Sequence, residues 1–111
     1  MRYLSTRGGI APVRFKDAVM MGLADDGGLL LPESIPVFSA AELESWRSLS
    51  YPQLAFEIIS RFVDDIPVTE LQTLIDRSYA TFSHPEVTPV VQKDGVYILE
   101  LFHGVTLAFK D

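Results

Sequence analysis

Polar and apolar positions alternate from Arg2 to Thr6, the period of a short strand, and Arg7-Gly8-Gly9 closes it. After Pro12 the period lengthens. Phe15, Ala18, Val19 and Leu23 follow i, i+3, i+4, i+8 spacing and share one face of a helix. Asp25-Asp26-Gly27-Gly28 is expected to stop that helix, because glycine accepts the positive φ of a helix C-terminus. Leu29-Leu30-Leu31 then reads as a short buried strand that Pro32 ends.

Two capping boxes follow. In Ser39-Ala40-Ala41-Glu42 the serine hydroxyl can take the amide three residues on while the glutamate reaches back to the serine amide. Ser50-Tyr51-Pro52-Gln53 repeats the arrangement and opens a helix carrying Leu54, Ala55, Ile58, Ile59 and Phe62. A third strong helix is expected from about Pro67, with Leu71, Leu74, Ile75, Tyr79 and Phe82 along it. Beyond His84-Pro85 the period changes to two. Val87 to Gln92 and Val96 to Leu101 flank Lys93-Asp94-Gly95, a hairpin signal with glycine available for the left-handed position.

This order predicts an α+β fold: a small helical domain of three main helices, with short strands at both ends that pair into one small sheet. It contains no βαβαβ series, and hence no nucleotide crevice of the doubly wound kind.

Length and composition narrow the function classes. At 111 residues, 48% of them hydrophobic, the chain is the size of one domain and can hold a core. A net charge of -6 argues against nucleic acid and against anionic membrane surfaces, which want a basic face. The absence of cysteine excludes a disulfide framework, a thiolate metal site and a thiol nucleophile, and fits a reducing cytosol. No segment has the apolar centre of a signal peptide or approaches the roughly 20 apolar residues of a membrane span. A cytoplasmic chain is expected.

Most candidate chemistry has a plain reading. The serines occupy cap and turn positions and none sits in a G-x-S-x-G elbow. His84 and His103 are the only histidines, and neither has a second ligand at metal spacing, so no metal site is expected; His84, before a proline, reads as a turn residue. Asp25-Asp26 and Asp64-Asp65 read as solvated helix ends, since a strained carboxylate pair would need burial. Gly8-Gly9 after Ser5-Thr6-Arg7 forms either a backbone nest for an anion or a simple turn. Lys110 stands apart, in LELFHGVTLAFKD beside Leu107, Ala108 and Phe109. An apolar setting disfavours an ammonium and leaves a nucleophilic amine, as a Schiff-base lysine requires. Against that, a lysine near a chain end is by default exposed.

The order of motifs decides between them. Tyr3-Leu4-Ser5-Thr6-Arg7-Gly8-Gly9, then FKDAVMMGLADDGGLLLPESIP, then LSYPQLAFEIISRFV, and finally LELFHGVTLAFKD closely resemble the threonine synthase family across essentially the whole chain. In that family the last segment typically reads HGPTLAFKD, and its lysine holds pyridoxal 5′-phosphate. The resemblance implies that Lys110 is that lysine, forming the Schiff base, and that Thr106 is the first residue of the S/T-x-x-x-K pattern, with no role assigned to it. Val105 departs from the family's usual proline and lacks its fixed φ, so the approach to Lys110 is expected to be less rigid.

The resemblance further implies the N-terminal domain of a fold-type II pyridoxal-phosphate enzyme over residues 1–90, and the start of the catalytic domain over 91–111. The parent activity would be conversion of O-phospho-L-homoserine and water to L-threonine and phosphate, in threonine biosynthesis. The family's phosphate loop and the partner of its pyridine nitrogen lie beyond the lysine. The 111 residues are therefore expected to be an N-terminal piece, inactive alone and without bound cofactor. The alternative is a non-catalytic interaction module. The tail from Ile98 to Phe109, with Leu99, Leu101, Phe102, Leu107 and Phe109 uncovered, is expected to be disordered or to pair with another copy.

Overall fold

The computed structural model describes residues 1–111. In chain order the elements are β1 (Tyr3–Ser5), α1 (Phe15–Met21), β2 (Leu30–Pro32), α2 (Ala40–Ser45) running into a 3₁₀ turn (Trp46–Ser48), α3 (Tyr51–Ile59), α4 (Val68–Tyr79), β3 (Val90–Lys93) and β4 (Val96–Leu99). The α+β expectation holds, with four α-helices. No helix is long and apolar enough to cross a membrane.

The core lies between α3 and α4. Ala55, Val63, Leu71 and Ile75 are buried together, and Phe15, Phe56, Phe62 and Tyr79 pack around them. Both polar helix starts read from the sequence are present. Ser39 Oγ accepts from the Glu42 amide at 3.2 Å while Glu42 Oε2 accepts from the Ser39 amide at 2.8 Å. At α3, Gln53 Oε1 accepts from the Ser50 amide at 2.9 Å and from its hydroxyl at 3.0 Å. The bonds to the Glu42, Ser39 and Ser50 amides satisfy main-chain donors that a helix start leaves without an intrahelical partner.

Three expectations are corrected. First, α1 stops at Met21 rather than at Asp25–Gly28, because Gly22 takes φ +69° and donates its amide to the Ala18 carbonyl. The stop leaves Leu23 outside the helix; of the expected stripe Ala18 is buried, while Val19 and Leu23 are exposed. Second, the strand expected at Leu29–Leu31 does end at Pro32 but is not buried. It shifts to Leu30–Pro32, with Pro32 opposite Tyr3, and Leu31 is 52% exposed. A two-stranded ribbon has no second layer to cover its outer face.

Third, the terminal strands do not form one sheet. β1 pairs antiparallel with β2, and β3 with β4, as two separate ribbons. The other edge of Tyr3 is already taken by Val13, which exchanges both main-chain hydrogen bonds with it at 2.9 and 3.0 Å. That leaves the β3–β4 hairpin no free edge at Tyr3 to join. Its turn narrows to Asp94-Gly95, with φ of +51° and +80°, the left-handed pair of a tight two-residue turn. Lys93 accordingly enters the ladder opposite Val96. Every residue of both hairpin strands is exposed.

Candidate functional site

The segment after β4 returns to the helical core through His103. The His103 carbonyl accepts from the Ser83 amide at 2.9 Å and from the Ser83 hydroxyl at 3.2 Å. Its Nε2 lies 2.7 Å from Glu100 Oε2, and both side chains are largely covered. The His84 ring stacks at a tilt, with centroids 5.0 Å apart. The distance along the chain hid that meeting of the two histidines, whereas the i, i+3 spacing of Glu100 and His103 was the available signal. His84 also keeps its turn role, its Nδ1 accepting from the Glu86 amide at 3.2 Å. No group of three or more histidine, aspartate or glutamate side chains is placed to hold a metal ion.

From Gly104 the chain closes a loop on itself. The Leu107 amide donates to the Gly104 carbonyl and the Asp111 amide to the Ala108 carbonyl, each at 3.2 Å. Leu107 sits at φ +59°. Thr106 donates its amide to Asp111 Oδ2 at 2.7 Å and its hydroxyl to Asp111 Oδ1 at 2.5 Å. The threonine hydroxyl, followed by the amides of the same loop, holds the Asp111 carboxyl below the usual carboxylate range.

Lys110 lies within this loop and is exposed. The apolar setting expected around it is not assembled by these residues, since Leu107 and Phe109 are 72% and 74% exposed. Beside it, Ala108, Phe109 and Asp111 meet Tyr51, Phe82 and Leu101 around a pocket of about 90 Å³. Small-molecule sites generally span about 300–1,000 Å³. The pocket is one wall of a site at most.

The carboxylates read as solvated helix ends are mostly structural anchors. Asp26 Oδ1 accepts from the Ser5 hydroxyl at 2.7 Å and from the Gly28 amide at 2.9 Å; its Oδ2 accepts from the Gly9 amide at 2.7 Å. The Arg7 guanidinium donates to the Asp26 carbonyl at 2.9 Å. The Gly8-Gly9 turn is thus occupied by the chain's own carboxylate, which settles the nest against an external anion. These bonds, led by Ser5, pull the Asp26 carboxyl below its ordinary value. Asp64 pairs with the Met1 amine, and Asp65 Oδ2 takes the Lys16 amide at 3.0 Å. That amide is one of the orphan donors at the start of α1, where Arg14 supplies no side-chain cap. Asp25 lies exposed in the turn that follows α1, beyond its Gly22 cap.

A family model described as Threonine synthase N terminus matches residues 2–79. Threonine synthase of Schizosaccharomyces pombe is 50% identical, over 98% of this chain and 22% of its own length. Threonine synthase-like 2 of Homo sapiens is 44% identical, over 100% of this chain and 24% of its own. The solved structure of PLP-bound threonine synthase from Brucella melitensis matches with a TM-score of 0.90 at 42% identity, over 99% of this chain and 24% of that one. The chain thus spans about a quarter of the length of the relatives it matches.

Proposed function

This chain belongs to the threonine synthase family, and we propose that it carries the residue, Lys110, through which the full-length protein holds pyridoxal 5′-phosphate. In this reading the full-length protein converts O-phospho-L-homoserine and water to L-threonine and phosphate. Residues 1–90 form its N-terminal domain and 91–111 lead into its catalytic domain. Burial supports that division, because every buried residue except Gly104 lies within residues 1–90. The cysteine-free sequence supports a reducing, cytoplasmic setting.

The observation that carries the reading is the exposed amine of Lys110, on a loop tied down at Thr106 and Asp111, in a segment that matches relatives along the entire chain. Pyridoxal 5′-phosphate needs an amine for its aldehyde, a wall for its ring and donors for its phosphate. Lys110 fits the first need. The pocket beside it is too small for the other two, so the ring and phosphate would be held by residues outside these 111. When bound, the group supplies an electron sink for negative charge beside the substrate's amine-bearing carbon. The part of this chain is to anchor the group through Lys110 Nζ and, once the substrate's amine displaces that nitrogen, to move the proton at substrate Cα. Without the remaining walls the isolated 111 residues neither orient a substrate nor exclude water, so they are inactive.

The test uses the full-length protein with O-phospho-L-homoserine, following phosphate and L-threonine together. Lys110→Ala is expected to lose both products. Turnover that survives in that variant would overturn the assignment. A second reading, a non-catalytic interaction module, draws on the exposed Leu99, Phe102, Leu107 and Phe109. A full-length protein that binds no cofactor and releases no phosphate would favour it.

A further inference from the structure

We propose that Asp111 is a positioning residue for Lys110, and that Gly104 and Thr106 exist to let its carboxylate close the loop. The clasp is specific in its chemistry. Both oxygens of one carboxylate are matched to both donors of one residue, the Thr106 amide at 2.7 Å and its hydroxyl at 2.5 Å. A charged acceptor makes each of these bonds stronger than a neutral pair would be. This gives Thr106, at the first position of the S/T-x-x-x-K pattern, a role: it is the fixed end on which the lysine's neighbour closes.

Gly104 supplies the room. A Cβ at that position would stand 2.4 Å from the Asp111 Cβ and 2.4 Å from its Oδ2, distances that real Cβ atoms do not show. Gly104 is buried and its φ is not in the left-handed region, so the site asks for space rather than for unusual backbone geometry. Leu107, by contrast, does adopt a positive φ. A branched side chain persists there only where its surroundings hold it, and the closed loop is what surrounds it.

The clasp has a second effect. An aspartate next to a lysine is a ready counter-ion, yet here both its oxygens are engaged by Thr106, and Lys110 enters none of the chain's salt bridges. The loop therefore fixes the backbone on either side of Lys110 while leaving its amine uncommitted. Those are the two conditions a covalent anchor needs: a defined position and a free nitrogen.

This inference rests on the reading of Lys110 as the cofactor anchor, and the experiment separates the two. The full-length protein is exposed to pyridoxal 5′-phosphate, quenched with borohydride at intervals, and the labelled lysine is located by peptide mass spectrometry. Label on another lysine in the unaltered protein would overturn the anchor reading. With the label on Lys110, Gly104→Ala and Asp111→Asn are each expected to slow its capture by about ten- to a hundredfold, the scale of a misplaced reacting group. Thr106→Ser, which keeps both donors, should retain the unaltered rate. Capture at an unchanged rate in both of the first two variants would overturn the clasp. Amide hydrogen exchange of the unaltered full-length protein, stripped of cofactor, decides the clasp independently of variant folding. A protected Thr106 amide supports it, and an amide exchanging at the unstructured rate sinks it.

Discussion

The phenolic hydroxyl of Tyr3 donates to the main-chain carbonyl of Phe62 at 3.0 Å, joining the first strand to the turn after α3 across 59 residues of chain. Tyr3 is only 8% exposed, and its ring packs against Phe15 with centroids 5.8 Å apart. One side chain thus fastens the β1–β2 ribbon to the helical core.

Tyr3→Phe keeps the ring and removes the donor, leaving the Phe62 carbonyl without it. A loss of about 1 kcal/mol is expected, seen as a lower urea midpoint at unchanged slope. Burial, then Asp65 and Asp64, raises the phenol above its ordinary 10.0. A raised value means that its contribution is complete below pH 10.0 and is lost as pH rises through the folded value. The variant should therefore also show a flatter alkaline limb. An unchanged midpoint would mean that water replaces the hydroxyl without cost.

Asp26 acts at the other end of the pH scale. Its carboxyl is lowered from 3.8 by Ser5, then by the Gly28 and Gly9 amides and Arg7. A lowered value means that its contribution is complete above 3.8 and disappears as pH falls through the folded value. Asp26→Asn, which keeps a single oxygen acceptor, should melt below the parent at pH 7, with the gap narrowing as the pH is taken below 3.8. A gap that does not narrow would show that the carboxylate's charge is irrelevant to the knot.

Core substitutions should divide sharply from ribbon substitutions. Leu71→Ala and Ile75→Ala remove side chains that are 6% and 5% exposed, and each is expected to cost about 2–5 kcal/mol. A domain of this size has about 5–15 kcal/mol to lose. Leu31→Ala, at a position 52% exposed, should stay within about 0.5 kcal/mol. Equal losses in denaturant titrations would mean that the ribbon is covered in solution.

The features legible in the sequence are those set by near neighbours. Ser39 with Glu42 marked the start of α2, Pro67 that of α4, and Asp94-Gly95 the hairpin, because each signal lies within about three residues of the contact it makes. What escaped depends on distant partners. Gly27-Gly28 was the stronger local stop, yet Gly22 ended α1 first. Asp26 looked like a helix terminus because Ser5 and Gly9, which give it a role, lie 21 and 17 residues earlier. The separation of the two ribbons turned on Val13 reaching Tyr3. Lys110 is proposed from its motif alone, and within these 111 residues it is exposed.

The hairpin and tail are expected to make the isolated chain associate. Val96, Tyr97, Leu99 and Phe102 are each at least half exposed, beside strand edges that carry no further partner. Light scattering over a concentration series should show the apparent mass rising. A chain ended at Gln92 keeps Leu71, Ile75 and Val87, and should remain monomeric while still melting cooperatively. A strictly monomeric parent would show that these apolar positions are tolerated by water.

The separateness of the two ribbons also sets a timetable. The β3–β4 turn needs only Asp94 and Gly95 to close, a microsecond event, whereas β1 meets β2 only after the chain has wound α1 between them, and Tyr3 then waits for Phe62. The N-terminal ribbon should be the last part to arrive and the first to leave. In stopped-flow experiments Tyr3→Phe should accelerate unfolding and leave the refolding rate nearly unchanged. The strand that comes earliest in these 111 residues would then be the last to find its place.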